Sequence, residues 1–249
     1  MGKVLRPAAL AGALGLAALV ITACGGGDDS DPSPTPASAT AEERAAAEPI
    51  LKAASLPGED LPQGFTFQED RLLTNEESAE EELHYAGAPT VEDLNRWGQI
   101  LEYEVSYQRE IPQTLTGTTL SLQVTTALYR DSAGAEENFE FVRQQTSDPE
   151  YVSAQEQESS EEGEPIRDVS ISPISFPGVG DSRMAFELTF TTYAPRFERD
   201  LDLVAQLIAI RRGRAIGVIE TLAVGSPHPL EEVEDIVRTL DERMKDALK

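Results

Sequence analysis

One cysteine and two histidines in 249 residues set the first limits. A single thiol forms no internal disulfide, so whatever folds here is held by an apolar core. His84 and His228 lie far apart in the chain, and neither sits in an HExxH or Cys-His spacing, which removes the usual zinc patterns. No G-x-S-x-G and no Ser-x-x-Lys occurs, so the common motifs of nucleophilic hydrolases are missing. Lysine occurs four times and arginine sixteen times against 45 acidic residues, for a net charge of −25. Phosphate binding needs clustered Lys and Arg, so nucleic acid is excluded as a partner, and docking on anionic headgroups with it. Such a surface suits cationic partners or loose divalent-cation binding. Aromatic residues make up 6% with a single Trp, which leaves little for a sugar-stacking cleft. Long apolar runs are scarce too. Ala8 to Ala23 carries no charge, but sixteen helical residues reach only about 24 Å, short of a hydrocarbon core of roughly 30 Å.

What is present at the N-terminus explains that short run. Lys3 and Arg6 precede it, small residues close it, and Gly25-Gly26-Gly27 follows with no basic stop-transfer flank. Basic start, short apolar centre and small-residue end describe a secretory signal over residues 1–23. Its last residues, Ile21-Thr22-Ala23-Cys24, resemble the lipobox of bacterial lipoproteins. The resemblance implies cleavage between Ala23 and Cys24, lipidation of the Cys24 thiol, and acylation (palmitate or a similar chain) of the new N-terminus. It further implies a cell-envelope protein, held on the outer face of the cytoplasmic membrane or in the outer membrane. Each buried CH₂ contributes about 0.8 kcal/mol, so two or three chains hold stably where one does not. Loss of residues 1–23 removes Lys3 and Arg6 and takes the net charge from −25 to −27. Residues 24–39 are then a lipidated Cys followed by a Gly/Asp/Ser/Pro tether without apolar periodicity. Fifteen such residues span roughly 20 Å as a coil and up to about 45 Å extended.

Residues 40–249 read as one domain. Thr40-Ala-Glu-Glu43 fits a capping box before "RAAAEPILKAASL", with Pro49 expected to kink the helix or end it near Glu48. Phe65-Thr-Phe67 begins a short strand, the acidic stretch 74–89 is a helix or a loop, and Thr90 to Trp97 is a short capped helix. Leu101, Tyr103, Val105 and Tyr107 alternate with polar residues, as do Leu120, Leu122, Val124 and Leu128. Period two predicts strands in an antiparallel sheet with one covered face. "DSAGAEENFEFVRQQTSD" (131–148) switches to helical spacing with Ala135, Phe139 and Val142 on one side and Ser132 as the expected cap, and 148–168 reads as a loop. Met184, Phe186, Leu188 and Phe190 alternate again. "DLVAQLIAI" and "AIGVIETLAV" flank Arg211-Arg212-Gly213-Arg214, are apolar on both faces, and therefore belong centrally in the sheet. Pro229 opens a closing helix whose stripe is Leu230, Val233, Val237, Leu240, Met244 and Leu248. The fold class is α+β: a twisted antiparallel sheet of about five or six strands covered by helices, with a C-terminal amphipathic helix.

"FPGVGDSRMAFEL", the hairpin "IAIRRGRAIGVIE", the closing helix and "WGQILEYEVSY" together resemble small envelope lipoproteins and the extracellular sensor domains of bacterial serine/threonine kinases. That resemblance implies a compact extracytoplasmic domain of the PsbP/Mog1 kind and carries no catalytic residue onto any position.

The remaining motifs are weak. Gly178-Val-Gly180-Asp181-Ser-Arg183 lacks the third glycine of a dinucleotide loop and precedes a strand, so it reads as a turn. His228, between prolines at a helix start, reads as a capping or surface residue. Trp97, Tyr103 and Tyr107 are either core or the candidate rim of a pocket. Asp200-Leu-Asp202, "GGGDDSD" and Glu80 to Glu82 lack the ligand order of an EF-hand, and no metal site or cofactor is expected. The expected role is a non-enzymatic module, tethered to the membrane through its lipid and binding a protein or a small molecule. The alternative is an envelope-polymer hydrolase working through paired carboxylates in a cleft.

Overall fold

The computed structural model describes residues 37–82, 89–109, 119–149, 152–153, 166–194 and 197–249. Residues 1–23, Cys24, "GGGDDSD", His84 and the connection 111–118 lie outside the described residues. Among the described residues no helix is long and apolar enough to cross a membrane.

Seven antiparallel strands form one sheet in the order β1-β2-β3-β7-β6-β5-β4. They are β1 (Phe65–Leu73), β2 (Gln99–Arg109), β3 (Thr119–Tyr129), β4 (Ile166–Pro173), β5 (Ser182–Ala194), β6 (Arg199–Arg212) and β7 (Ala215–Val224). The helices are α1 (Ala41–Ala54), α2 (Asn75–Glu82), α3 (Val91–Arg96), α4 (Ser132–Ser147) and α5 (Leu230–Ala247). The α+β class holds, and β7 is the middle strand with β6 beside it. In the β6–β7 hairpin Arg212 pairs with Ala215. That leaves Gly213-Arg214 as a two-residue loop, and Gly213 takes φ +54°, a region costly for residues with a Cβ.

The sheet has seven strands rather than five or six. The additional one is β4, whose first residues, Ile166 to Asp168, fall within the stretch read as a loop. It is an edge strand, paired only with β5, broken by a bulge between Arg167 and Ser170 and ended by Pro173. Edge strands of this kind show no clean alternation. β1, the other edge, runs on to Leu73 with a largely exposed polar middle.

Both faces of the sheet are covered in part, not one. On the front face α1 and α5 pack over Tyr103, Val105, Leu122, Val124, Ile208 and Ile219. On the back face α3 and α4 bring Leu94, Trp97, Ala135 and Phe139 over Ala127, Tyr129 and Ala209. A third cluster, Leu120, Phe190, Leu201, Leu203 and Val224, lies at the opposite end of the sheet. The residues read as the outer face of β2 therefore include Glu104, which is only 6% exposed.

The helix caps follow local chemistry. The Thr40–Glu43 capping box is reciprocal, with hydrogen bonds of 2.7 and 3.1 Å. Pro49 lies inside α1 without ending it. One helical hydrogen bond is lost there, and burial of Ala47, Leu51 and Ala54 against the sheet and α5 carries the helix on to Ala54. α4 is capped by Asp131, not Ser132, because the Asp131 carboxylate accepts from Ala133 N (3.0 Å) and Gly134 N (2.9 Å). In α5 the buried stripe is Val233, Ile236, Val237, Leu240 and Met244. Leu230 is exposed instead, and Ile236, three residues from Val233 and four from Leu240, takes its place in the stripe.

Gly134 is required by a close approach. A Cβ built there would stand 1.7 Å from the Trp97 carbonyl oxygen, because the start of α4 crosses the end of α3. Alanine ordinarily favours a helix over glycine, but a backbone carbonyl cannot yield as a side chain can. Gly134→Ala is expected to lower stability in urea unfolding by about 1–3 kcal/mol. Gly178→Ala, whose nearest neighbour would be Arg183 at 3.9 Å, should stay within about 0.5 kcal/mol of the parent.

Candidate functional site

The back face is where the helices leave the sheet partly bare. Three cross-strand rows run over it. The row beside the helices is Met184–Ala209–Val218–Thr125–Glu104–Arg71. The next is Phe186–Leu207–Glu220–Gln123–Ser106, and the third is Leu188–Ala205–Leu222–Ser121–Gln108. All five residues of the middle row are half-buried. Glu220 is its centre and lies on the central strand. Leu207 and Gln123 flank it across the strands, and Val218 and Leu222 flank it along its own. Toward β5 and β6 the surface is apolar; toward β3 and β2 it is polar.

Glu220 makes no hydrogen bond or ion pair among the described residues. Its carboxylate keeps a partial opening to solvent, yet the surrounding strands and side chains strip most of its hydration. Burial therefore pushes its pKa above the ordinary 4.5, and the negative charge of Glu104 adds to the effect. Glu104 lies diagonally across β3 and is satisfied differently. Arg71 grips it through Nε and Nη2, with contacts of 2.9 to 3.0 Å to both carboxylate oxygens. Two acids on one face thus differ in their surroundings: Glu104 is paired with Arg71, and Glu220 has no cation among the described residues.

A separate cleft of about 410 Å³ opens between α5 and the segment leading into β1. Asp60, Gln63, Arg109, Glu232, Asp235 and Thr239 supply its polar lining. Asp60 is taken by Arg243 at 3.1 Å. Arg109 stacks over the Phe65 ring, 4.3 Å from its centroid, and its Nε has no partner among the described residues. His228 lies close by and is 2% exposed, which corrects the surface reading. Its Nδ1 meets Thr119 Oγ1, and it makes no capping bond to α5. Nε2 is 3.3 Å from Glu232 Oε2 without an aligned hydrogen bond. Burial lowers the His228 pKa from 6.5, against the raising effect of Glu232, and Arg109 lowers it further. The ring is therefore neutral at pH 7.

The residues singled out from sequence are dispersed. Ala23 and Cys24 lie outside the described residues. Trp97 is buried on the back face against Phe141, whereas Tyr103 and Tyr107 are buried on the front face. Their hydroxyls donate to Asp70 (2.7 Å) and to the Leu56 carbonyl. Burial pushes the Tyr107 pKa up to about 12 and that of Tyr103 higher still. The three do not share one rim, and none lines the cleft. The Gly178–Arg183 stretch is a turn: Asp181 accepts from Gly213 N at 2.7 Å and from Arg212 at 3.0 Å. Asp200 pairs with Arg167, and Asp202 accepts from Thr191 at 2.9 Å. Among the described residues no group of three His, Cys, Asp or Glu side chains could hold a metal. Glu220 is the residue missed. The available signal was a single acid in the otherwise apolar and hydroxyl-bearing run "AIGVIETLAV".

No family model and no curated protein matches the sequence. Among solved structures, the extracellular domain of PknH from Mycobacterium tuberculosis is similar in overall chain path. Its TM-score is 0.42 at 7% identity, covering 80% of this chain and 97% of that one. The likeness carries no residue-level correspondence and no argument about role.

The Glu220 environment has a stability consequence. Its folded-state pKa lies above the unfolded value, so the native state binds more protons between the two. Stability therefore falls as pH rises through that window, and the cost is absent well below 4.5. Glu220→Gln removes the charge. It is expected to stabilise the protein at pH 8 by on the order of 1 kcal/mol. Thermal unfolding across pH 4 to 8 checks this: the gain should shrink toward pH 4, and a loss of stability at pH 8 would contradict it.

Proposed function

We propose that this chain is a lipid-tethered extracytoplasmic binding module that takes its ligand on the back face of the sheet, around Glu220, without catalysing a reaction. The observation that carries the binding reading is the Glu220 carboxylate itself. Among the described residues it stands unpaired on the central strand, beside half-buried Leu207, Val218 and Leu222. A desolvated charge without a partner costs stability, and a ligand that pairs with it recovers that cost. The lipid anchor and the envelope location rest on Ile21-Thr22-Ala23-Cys24 and on the short apolar segment before it. The Gly/Asp/Ser/Pro stretch after Cys24 supports a spacer between bilayer and domain.

A second reading draws on the same face. Acid–base cleavage of a glycoside needs two carboxyls, one kept protonated and one ionised. Burial raises the Glu220 pKa, and Arg71 pairs with Glu104. Arg71, however, draws Glu104 toward β1, while Glu220 lies on the far side of β3. The binding reading is therefore preferred.

Growth with an alkyne fatty acid tests the anchor. The parent is expected to be labelled and to sediment with membranes, and Cys24→Ala to be unlabelled and released. A labelled Cys24→Ala protein, or an unlabelled soluble parent, would overturn it. Incubation of the parent with purified envelope polysaccharide tests the second reading, which requires new reducing ends that Glu220→Gln abolishes.

A further inference from the structure

We infer that the Glu220 face takes a lipophilic organic cation, with an ammonium or guanidinium on the carboxylate and an apolar body lying over Leu207 and Phe186. The inference rests on the reading of this face as the binding surface and goes on to name the chemistry of the occupant.

Geometry fixes the two ends. Phe186, Leu207 and Glu220 are consecutive members of one cross-strand row. Adjacent strands lie about 4.8 Å apart, so the row from Phe186 to Glu220 spans roughly 10 Å. Leu188 and Leu222 widen the apolar part on one side, and Ala205 and Ala209 leave shallow ground between the larger side chains. Phe186, Leu188, Leu207 and Leu222 are each half-buried, so part of their apolar surface still meets water. A flat body of about 10 Å covering them gains roughly 25 cal/mol per Å² of apolar surface removed from water.

Charge decides the other end. Arg71 is committed to Glu104, and Gln123 is the only polar residue beside Glu220 in its row on the β3 side. An anionic ligand would meet the Glu220 carboxylate with no cation beside it among the described residues and be repelled. A divalent metal would need six or more oxygen ligands, and Leu207, Val218 and Leu222 offer no side-chain oxygen. An inorganic monovalent cation gains nothing from the apolar half of the row. An organic cation satisfies both halves at once, and the partly desolvated carboxylate strengthens the pairing relative to an exposed one.

The test uses a matched pair of probes, 4-phenylbutylamine and 4-phenylbutyrate, which share an apolar body and differ in the sign of their charge. Isothermal titration calorimetry is run on the full lipidated chain in nanodiscs, with empty discs subtracted. The amine is expected to bind at least about tenfold more tightly than the acid, a difference of roughly 1.4 kcal/mol. Glu220→Gln should remove that preference while thermal unfolding shows the variant folded. Leu207→Ser should weaken both probes together. Equal binding of amine and acid, both weakened by Leu207→Ser, would overturn the cation assignment and leave the binding face standing. Binding of neither probe would overturn both. Amine binding unchanged in Glu220→Gln would overturn the assignment of the charge to this residue.

Discussion

Ile219, Glu220 and Thr221 are successive residues of the middle strand, and the two-residue period of a strand turns the second away from its neighbours. Ile219 and Thr221 face α5 and are fully buried. Glu220 must then lie on the back face, whatever the chemistry there. No local rearrangement escapes this. A one-residue slip of β7 would bury the carboxylate under α5 and expose Ile219. The register with β3 and β6 is unbroken on both sides of Glu220. The position of the charge is thus a consequence of the core on the opposite face.

The back face is also where the helices are unevenly spent. α2, α3 and α4 gather at one end, held by a buried amide network in which Asn75 donates to Asn95 (2.9 Å) and to the Gln99 carbonyl (3.0 Å). Trp97 and Phe139 complete that end. The cluster around Phe190, Leu201 and Val224 closes the other. Between them lies the middle row, which belongs to neither cluster and contains both exposed apolar surface and a lone acid. Natural sheets usually hide such a strip or make it polar. Here the two kinds of side chain are segregated, apolar on β5–β6 and polar on β3–β2, a division that the proposed amphipathic occupant would match.

Much of this was legible in the sequence, and what was not has a physical reason. The capping box at Thr40 and the capped helix starting at Thr90 are local chemistry, read directly and found in place. The alternation in β2, β3 and β5 and the β6–β7 hairpin with its glycine are equally local. β4 was not legible because an edge strand with a bulge and a closing proline need satisfy only one neighbour. Coverage of both faces was not legible because it depends on where α2 to α4 return in space, which no periodicity encodes. Leu230 and Ile236 exchanged roles because a stripe read at its first turn is ambiguous by one residue. Glu220 was hidden by its own strand: in a run apolar on both faces, one acid cannot be assigned to open or covered ground until the opposite face is known. His228 looked exposed between two prolines, yet the chain folds it beneath Phe65 and Thr119.

The distribution of arginine gives the isolation of Glu220 its weight. With 45 acids and 20 basic residues, cations are scarce, and the fold uses them at joints that disulfides might have closed. Arg130 ties the end of β3 to Glu43 and to the carbonyls of Ala37 and Ser38. Arg212 joins the hairpin to Asp241 of α5 and to Asp181 of the turn before β5. Arg243 fastens α5 to the Ser55 carbonyl and to Asp60. Arg71 holds the first two strands together through Glu104. Singly, such surface pairs contribute about 0–1 kcal/mol, but each bridges elements distant in sequence. Where an acid holds a joint, an arginine or a backbone N–H meets it. Glu220 sits on the central strand and, among the described residues, is left without either. Burial and Glu104 both disfavour the Glu220 carboxylate, so the cation proposed above would supply from outside the fold the pairing that the arginines supply at the joints.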